Sequence, residues 1–265
     1  MRVDVRFPNG RTRALTLSYD DGLAEDRRLV EILNEHGLRG TFNLNSGALG
    51  RYGMIRPAEV AGLYAGHEVA VHTVSHPHLP QLAPAAAIAE IKEDKKALED
   101  LVGYPVRGMS YPYGEYSDTV AKLLPDLGLT YGRTTKYNRR SFGLPADLYR
   151  WEVTCYHLDD LAERGRRFLA APTGREPLLM LVYGHSWELN EADGWGQIGR
   201  FAAQIGKARD VWFATNIEIA DYLNALKAVR IAPDGKEAEN RSFGPVWLCR
   251  EGKVTALGSG EKVVF

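Results

Sequence analysis

Apolar and hydroxyl-bearing positions alternate through Ala14-Leu15-Thr16-Leu17-Ser18-Tyr19, and the alternation stops at Asp20-Asp21-Gly22. A period of two predicts a strand, and the acidic pair with its glycine predicts the turn leaving that strand's carboxyl end. Residues 24–36 then change period: Leu29, Ile32 and Leu33 recur at helical spacing, Gly37 reads as a helix stop, and His36 falls in the last turn. Glu68-Val69-Ala70-Val71 is again a short strand, delivering His72 and His76 to its own carboxyl end before Pro77 breaks the chain. Helices are predicted at 88–101, 198–206 and 217–229, and strands at 178–182 and 211–214. Such alternation argues for a parallel sheet, open or closed. After Val229 the texture changes: Pro233-Asp234-Gly235, Glu251-Gly252 and Gly258-Ser259-Gly260 separate short runs such as Pro245-Val246-Trp247-Leu248 and Lys262-Val263-Val264-Phe265. The expectation is a main unit over 1–228 and a β-rich appendage over 229–265, read as a tail that covers one end of the fold, with a substrate-facing or oligomerising flap as the alternative.

Composition narrows the picture only a little. A chain of 265 residues, 45% hydrophobic, can bury one enzyme-sized core. Its 33 basic residues are matched by 34 acidic ones with no long basic run, so nothing favours nucleic acid, and the arginines at 164–167 read as a helix face. No apolar run reaches the roughly 18 residues of a membrane span, and Met1-Arg2-Val3-Asp4-Val5 lacks the apolar centre of a signal peptide. Two cysteines, Cys155 and Cys249, do not make a disulfide framework. The expected setting is the cytoplasm, without membrane association; self-association is left open.

The chemistry sits in the first two strand ends. Two imidazoles and a carboxylate make a three-ligand zinc set, which leaves a fourth position open, as catalytic rather than structural zinc sites do. Strand carboxyl ends are also where α/β folds place their chemistry. A lone Asp-Asp-Gly is ordinarily a solvated turn, and a lone His-X-X-X-His can be a surface accident. Their joint occurrence, each after a strand-like run, is what gives them weight.

This combination resembles the polysaccharide deacetylases, the NodB-homology group also called carbohydrate esterase family 4. The family pattern runs Thr-Phe-Asp-Asp-Gly, His-Ser/Thr-X-X-His, Arg-X-Pro-Tyr-Gly, a tryptophan and aspartate motif, and Leu-X-His. Here the first two stand as Thr16 to Gly22 and His72-Thr73-Val74-Ser75-His76. The third is Ser110-Tyr111-Pro112-Tyr113-Gly114, with serine in place of arginine. The fourth is faint around residues 151–160, and the fifth is stretched to Leu181-Val182-Tyr183-Gly184-His185. The resemblance spans residues 14–226 and implies a distorted (β/α) barrel with a small C-terminal β appendage. It further implies Asp20 as general base, Asp21, His72 and His76 as ligands of one divalent metal with zinc the first choice, the Tyr113 backbone as oxyanion donor, and His185 as general acid.

In the family the motif-three arginine holds the base aspartate, and Ser110 has no charge with which to do so. Arg133, after a strand-like run, and His157 are the two substitutes in view, and Trp151 is assigned with them and Tyr113 to the substrate pocket. Glu188, three residues after His185, either orients that imidazole or faces solvent. His67 and His78 are read as structural. The expected function is a metal-dependent hydrolase removing an acetyl group from an N-acetyl or O-acetyl carbohydrate or a small acylated molecule, metal-bound water attacking the acyl carbon with Asp20 as base and His185 as acid. Alternatives are an amidase of the same fold acting on a non-sugar amide and a non-catalytic carbohydrate-binding relative. The retained Asp20 favours an enzyme, since a binder needs no base beside its metal.

Overall fold

A computed structural model describes every residue except Met1, Arg140 and Ala192. Among the described residues the centre is a nine-stranded sheet. Its strands follow the spatial order Trp151–Val153, Tyr131–Tyr137, Gly108–Ser110, Glu68–Val71, Gly40–Leu44, Arg13–Asp21, Leu178–Gly184, Cys155–Tyr156, with Val211–Phe213 added alongside Arg13–Asp21. Every pairing in it is parallel. The two outermost strands are consecutive in the chain, parted by Thr154 alone. Thr154 donates its N–H to Leu181 O at 2.8 Å and accepts from Leu181 N–H through Oγ1 at 3.0 Å. That juncture draws the sheet into a nearly closed (β/α) barrel, the expected fold class.

Both faces of the Arg13–Asp21 strand are buried, and the period-two alternation decides what each face meets. Leu15, Leu17 and Tyr19 share one apolar cluster with Leu29, Val30 and Leu33 of the helix Asp26–Glu35. Burying each such side chain contributes roughly 1.5–3 kcal/mol. Thr16, Ser18 and Asp20 take the other face, inside the barrel. Thr16 donates to Asn216, Asn216 to Ser18, and Asn43 to both Ser18 and Asp20. This polar column needs every partner it has, because an unpaired buried polar group costs about 1–3 kcal/mol.

The acidic pair does not lie in the turn, as the pattern had suggested. Asp20 and Asp21 remain in the strand, paired in register with Asn43 and Leu44, and φ turns positive at the strand's last residue, Asp21 (+81°), and at Gly22 (+75°) as the chain leaves it. The remaining helices are Pro84–Val102, Gly194–Ile205 and Asn216–Lys227, close to the expected spans, and Leu161–Ala170, which carries the arginines expected on a helix face, with short ones at Val60–Leu63 and Asp118–Leu123. The strands Gly40–Leu44 and Gly108–Ser110 had not been singled out.

Beyond the last long helix lie two three-stranded antiparallel sheets. One joins Val229–Ile231, Glu237–Asn240 and Lys262–Val264; the other joins Val246–Arg250, Lys253–Leu257 and the amino-terminal strand Asp4–Arg6. The chain start therefore reaches across the boundary expected at 228. No helix among the described residues is long and apolar enough to cross a membrane.

Candidate active site

Asp21, His72 and His76 come together at the carboxyl ends of their strands, with one potential ligand atom from each lying within 4.8 Å of the others. Asp21 Oδ1 is 3.5 Å from His72 Nε2 and 3.7 Å from His76 Nε2. Two donors bound tetrahedrally at 2.0–2.2 Å from one zinc ion stand about 3.4 Å apart, so these spacings suit a shared ion. Asp21 Oδ1 is buried and has no hydrogen-bond partner. A buried carboxylate oxygen with no hydrogen-bond donor, facing two imidazole nitrogens, has the charge and lone pairs to share one cation, so the donor set fits a divalent metal.

The surroundings prepare His72 for that task. Its Nδ1 lies 2.9 Å from Ser110 O, to which it donates, and 2.7 Å from Ser110 Oγ, so Nε2 is the nitrogen free to bind. Burial pushes the imidazole pKa down, against the upward pull of Asp20 and Asp21, and a neutral ring is the ligand form. Asp94, from the helix Pro84–Val102, accepts from His72 N–H at 3.0 Å and Ser46 N–H at 2.7 Å, while Asn45 donates to Thr73 O at 3.0 Å. Asp21, Thr73, His76 and Tyr113 all have positive φ, between 55° and 81°. Backbone strain of this kind costs about 1–3 kcal/mol per residue and gathers where geometry serves function.

Asp20 is 3% exposed and sits beside this cluster. The Arg133 guanidinium forms an ion pair with its Oδ1 through Nη2, and Asn43 Nδ2 at 2.9 Å and Ser110 Oγ at 3.1 Å donate to the same oxygen. All three donors fall on Oδ1, which leaves Oδ2 to take a proton. Burial would raise the carboxyl pKa, but Arg133, His72 and His185 outweigh it and hold it at about 2. The position of Arg133 has a simple cause: it pairs in register with Ser110 on the neighbouring strand. A guanidinium missing from one strand is thus supplied from the next at the same level of the barrel.

His185 follows the strand Leu178–Gly184, and its Nε2 is 3.8 Å from Asp21 Oδ2. Burial alone would lower its pKa, but Glu188, Asp20 and Asp21 push it up to about 9. Tyr113 is half exposed, its ring stacked on His78 at 4.0 Å and edge-on to His76 at 4.5 Å. His78, read from sequence as structural, therefore lines the site, and it pairs with Glu115 at 2.9 Å. His67 is structural as read, accepting from Gly40 N–H at 3.0 Å.

Two expectations need correcting. Trp151 does not line a pocket: it is 1% exposed, edge-on to Tyr131 in an apolar cluster with Ala14, Leu179 and Leu181. It pairs in register with Arg133 on the neighbouring strand and is packed into the core there. His157 does not reach Asp20; its ring lies between Tyr19 OH at 3.3 Å and Glu188 at 3.0 Å. Asn43, Asn45 and Asp94 were missed. The alternating polar positions of Thr41-Phe42-Asn43-Leu44-Asn45 were the one signal for the asparagines, whereas Asp94 looked like any acid on a charged helix face.

A nearly closed parallel barrel with one carboxylate and two imidazoles at its strand ends, beside a restrained aspartate, is the arrangement that the motif resemblance implied. Residues 8–132 match the family model described as polysaccharide deacetylase, so the resemblance read from the motifs stands. Chitin deacetylase 1 of Cryptococcus neoformans var. grubii is 30% identical over 140 residues, 52% of this chain and 29% of that protein. The chain spans between about a quarter and a little over half of the length of such curated relatives. Among solved structures, a Mycobacterium smegmatis protein assigned to the polysaccharide deacetylases superposes with a TM-score of 0.64 at 19% identity, covering 84% of this chain and 94% of that one. The family 4 carbohydrate esterase from Streptomyces lividans, in complex with acetate, gives 0.52 at 21% identity over 76% and 91%. These two likenesses establish the fold.

Proposed function

We propose that the protein is a metal-dependent deacetylase of N-acetyl or O-acetyl carbohydrates. The carrying observation is the Asp21–His72–His76 donor set, with its orphaned oxygen, lying beside an aspartate whose other partners all occupy one oxygen. Asp21, His72 and His76 hold a divalent ion, zinc by the chemistry of one carboxylate and two imidazoles. When bound, such an ion supplies Lewis acidity towards water and an acyl oxygen.

The chain's own residues do the rest. Asp20 Oδ2 accepts the proton of the attacking water, and Arg133, Asn43 and Ser110 keep the carboxylate turned to that task and away from the ligand cluster. The backbone N–H at Tyr113 donates to the acyl oxygen as negative charge gathers on it. His185 gives a proton from Nε2 to the departing amine or alkoxide. Support for a sugar substrate comes from the chitin deacetylases among the relatives and from the exposed face of Tyr113 at the mouth of the site.

Acetate release from a panel of acetylated chitooligosaccharides and O-acetyl sugars, before and after chelation, is the test. Acetate release that stops with the chelator and returns with added zinc is expected. No acetate from any sugar, or activity indifferent to chelation, would overturn the reading.

A further inference from the structure

One partly buried carboxylate at the site is unused by these steps. Glu188 lies in the short helical turn Ser186–Asn190, and its Oε2 accepts from His185 N–H at 2.8 Å and lies 3.0 Å from His157 Nε2. Its Oε1 is 3.2 Å from His185 Nδ1, within ion-pair distance but misaligned for a hydrogen bond, so that buried nitrogen has no directed partner. Catalytic bonds often stand loose before substrate arrives and tighten with it. His157 is itself fixed, since its Nδ1 meets Tyr19 OH and its ring fills the space above Gly184, where a Cβ would lie 2.5 Å from His157 Cδ2. No other acid of the neighbouring segment takes this place: Asp159 bonds Tyr137 OH and Tyr156 N–H, and Asp160 caps the helix Leu161–Ala170.

We infer that Glu188, clamped by His157, is the positioning residue that holds His185 with Nδ1–H towards Glu188 and Nε2 towards the leaving group. The inference rests on His185 being the proton donor of the proposed reaction. In that step the acyl C–N or C–O bond breaks with its electron pair leaving on nitrogen or oxygen, which takes the proton from His185 Nε2. His185 is left neutral with Nδ1–H on Glu188, and Glu188 gains no proton, the same division of labour as in other carboxylate–histidine pairs. Tyr19, His157, Glu188 and His185 thus form one line from the barrel wall to the reacting atoms.

Glu188→Gln keeps the shape and removes the charge. It is expected to lower kcat by on the order of 10–100-fold, the usual effect of losing an outer-shell partner, while KM and metal content stay unchanged. Glu188→Asp should recover part of the loss. His157→Gln should act in the same direction more weakly, and the double variant His157→Gln/Glu188→Gln should be no worse than Glu188→Gln, because both act through one ring. A readout independent of any substrate is the ¹⁵N spectrum of the histidine rings, with His185 assigned through His185→Gln. The wild-type ring should be the Nδ1-protonated tautomer at neutral charge, and Glu188→Gln should shift it towards a mixture. An unchanged tautomer, or a variant whose lost turnover tracks lost metal, would overturn the inference. Should the wild type release no acetate from any sugar, the function reading fails, and the ring tautomer still decides the role of Glu188. If Glu188→Gln does not fold, Glu188→Asp and His157→Gln carry the same two readouts.

Discussion

Three donors crowd Oδ1 of Asp20 and none reaches Oδ2, so the consequences of substitution can be separated atom by atom. Asp20→Asn should leave about one bound metal ion per chain and lower kcat by on the order of 10²–10⁴, the contribution of a positioned acid or base; full activity in that variant would remove Asp20 from the base's role. Arg133→Met should do two things at once. It should lower turnover, and it should destabilise the fold by roughly 3–5 kcal/mol, because it strands a buried carboxylate without its cation. Denaturant titration beside kinetics separates the two effects, and an unaltered midpoint would mean that Asn43 and Ser110 suffice. The grouping of Asp21, His72 and His76 was legible in the sequence because its spacing is local to two strand ends. Arg133 was legible only as a substitute for a missing charge, and its in-register pairing with Ser110 lies in the sheet, not in either segment. Asn43 and Asp94 were hidden for the same reason: each acts across an element boundary.

At the scale of elements, period two and helical spacing revealed the strands and helices that carry long apolar patterns. Gly40–Leu44 and Gly108–Ser110 escaped because buried strands of a parallel sheet are short and mix polar interior positions with apolar ones. The acidic pair was misread as a turn because aspartates are poor strand formers, and here the polar barrel interior overrides that preference. The helix Asp26–Glu35 is held by its apolar face, so Leu33→Ala should cost about 2–5 kcal/mol in unfolding free energy. Arg13 fastens another helix end: its guanidinium donates to Phe168 O, Leu169 O and Ala171 O at the carboxyl terminus of Leu161–Ala170. Arg13→Met should therefore fray that terminus and raise amide exchange there while leaving the site's metal content alone. Unchanged exchange over residues 165–171 would show that the helix needs no such fastening.

For the whole molecule, the barrel interior sets a pH dependence. Glu68 is buried among Thr41, Tyr131 and Ile217 N–H, and burial pushes its pKa from 4.5 to about 7 in spite of those donors. Its folded value lies above its unfolded one, so the native state binds more protons between the two. The stability it contributes is complete below about pH 4.5 and is lost as pH rises through 7, some 3 kcal/mol in all. Asp20 has the opposite sign, with a folded value near 2, and its contribution is lost only as pH falls from about 4 towards 2. The two windows do not overlap. Glu68→Gln should accordingly flatten the decline in unfolding free energy between pH 4.5 and 8, and an unaltered slope would mean that Glu68 is ionised in the folded chain.

The juncture at Thr154 makes the two cysteines into independent clocks. Cys155 follows Thr154 directly, is buried, and has its thiol pKa pushed up to about 12 by that burial, so it reacts with an alkylating reagent only after the ring of strands has parted there. Cys249 pairs with Asp4 in the separate small sheet. Timed alkylation in mild denaturant would then distinguish a ring that parts at its clasp from a tail that peels away first.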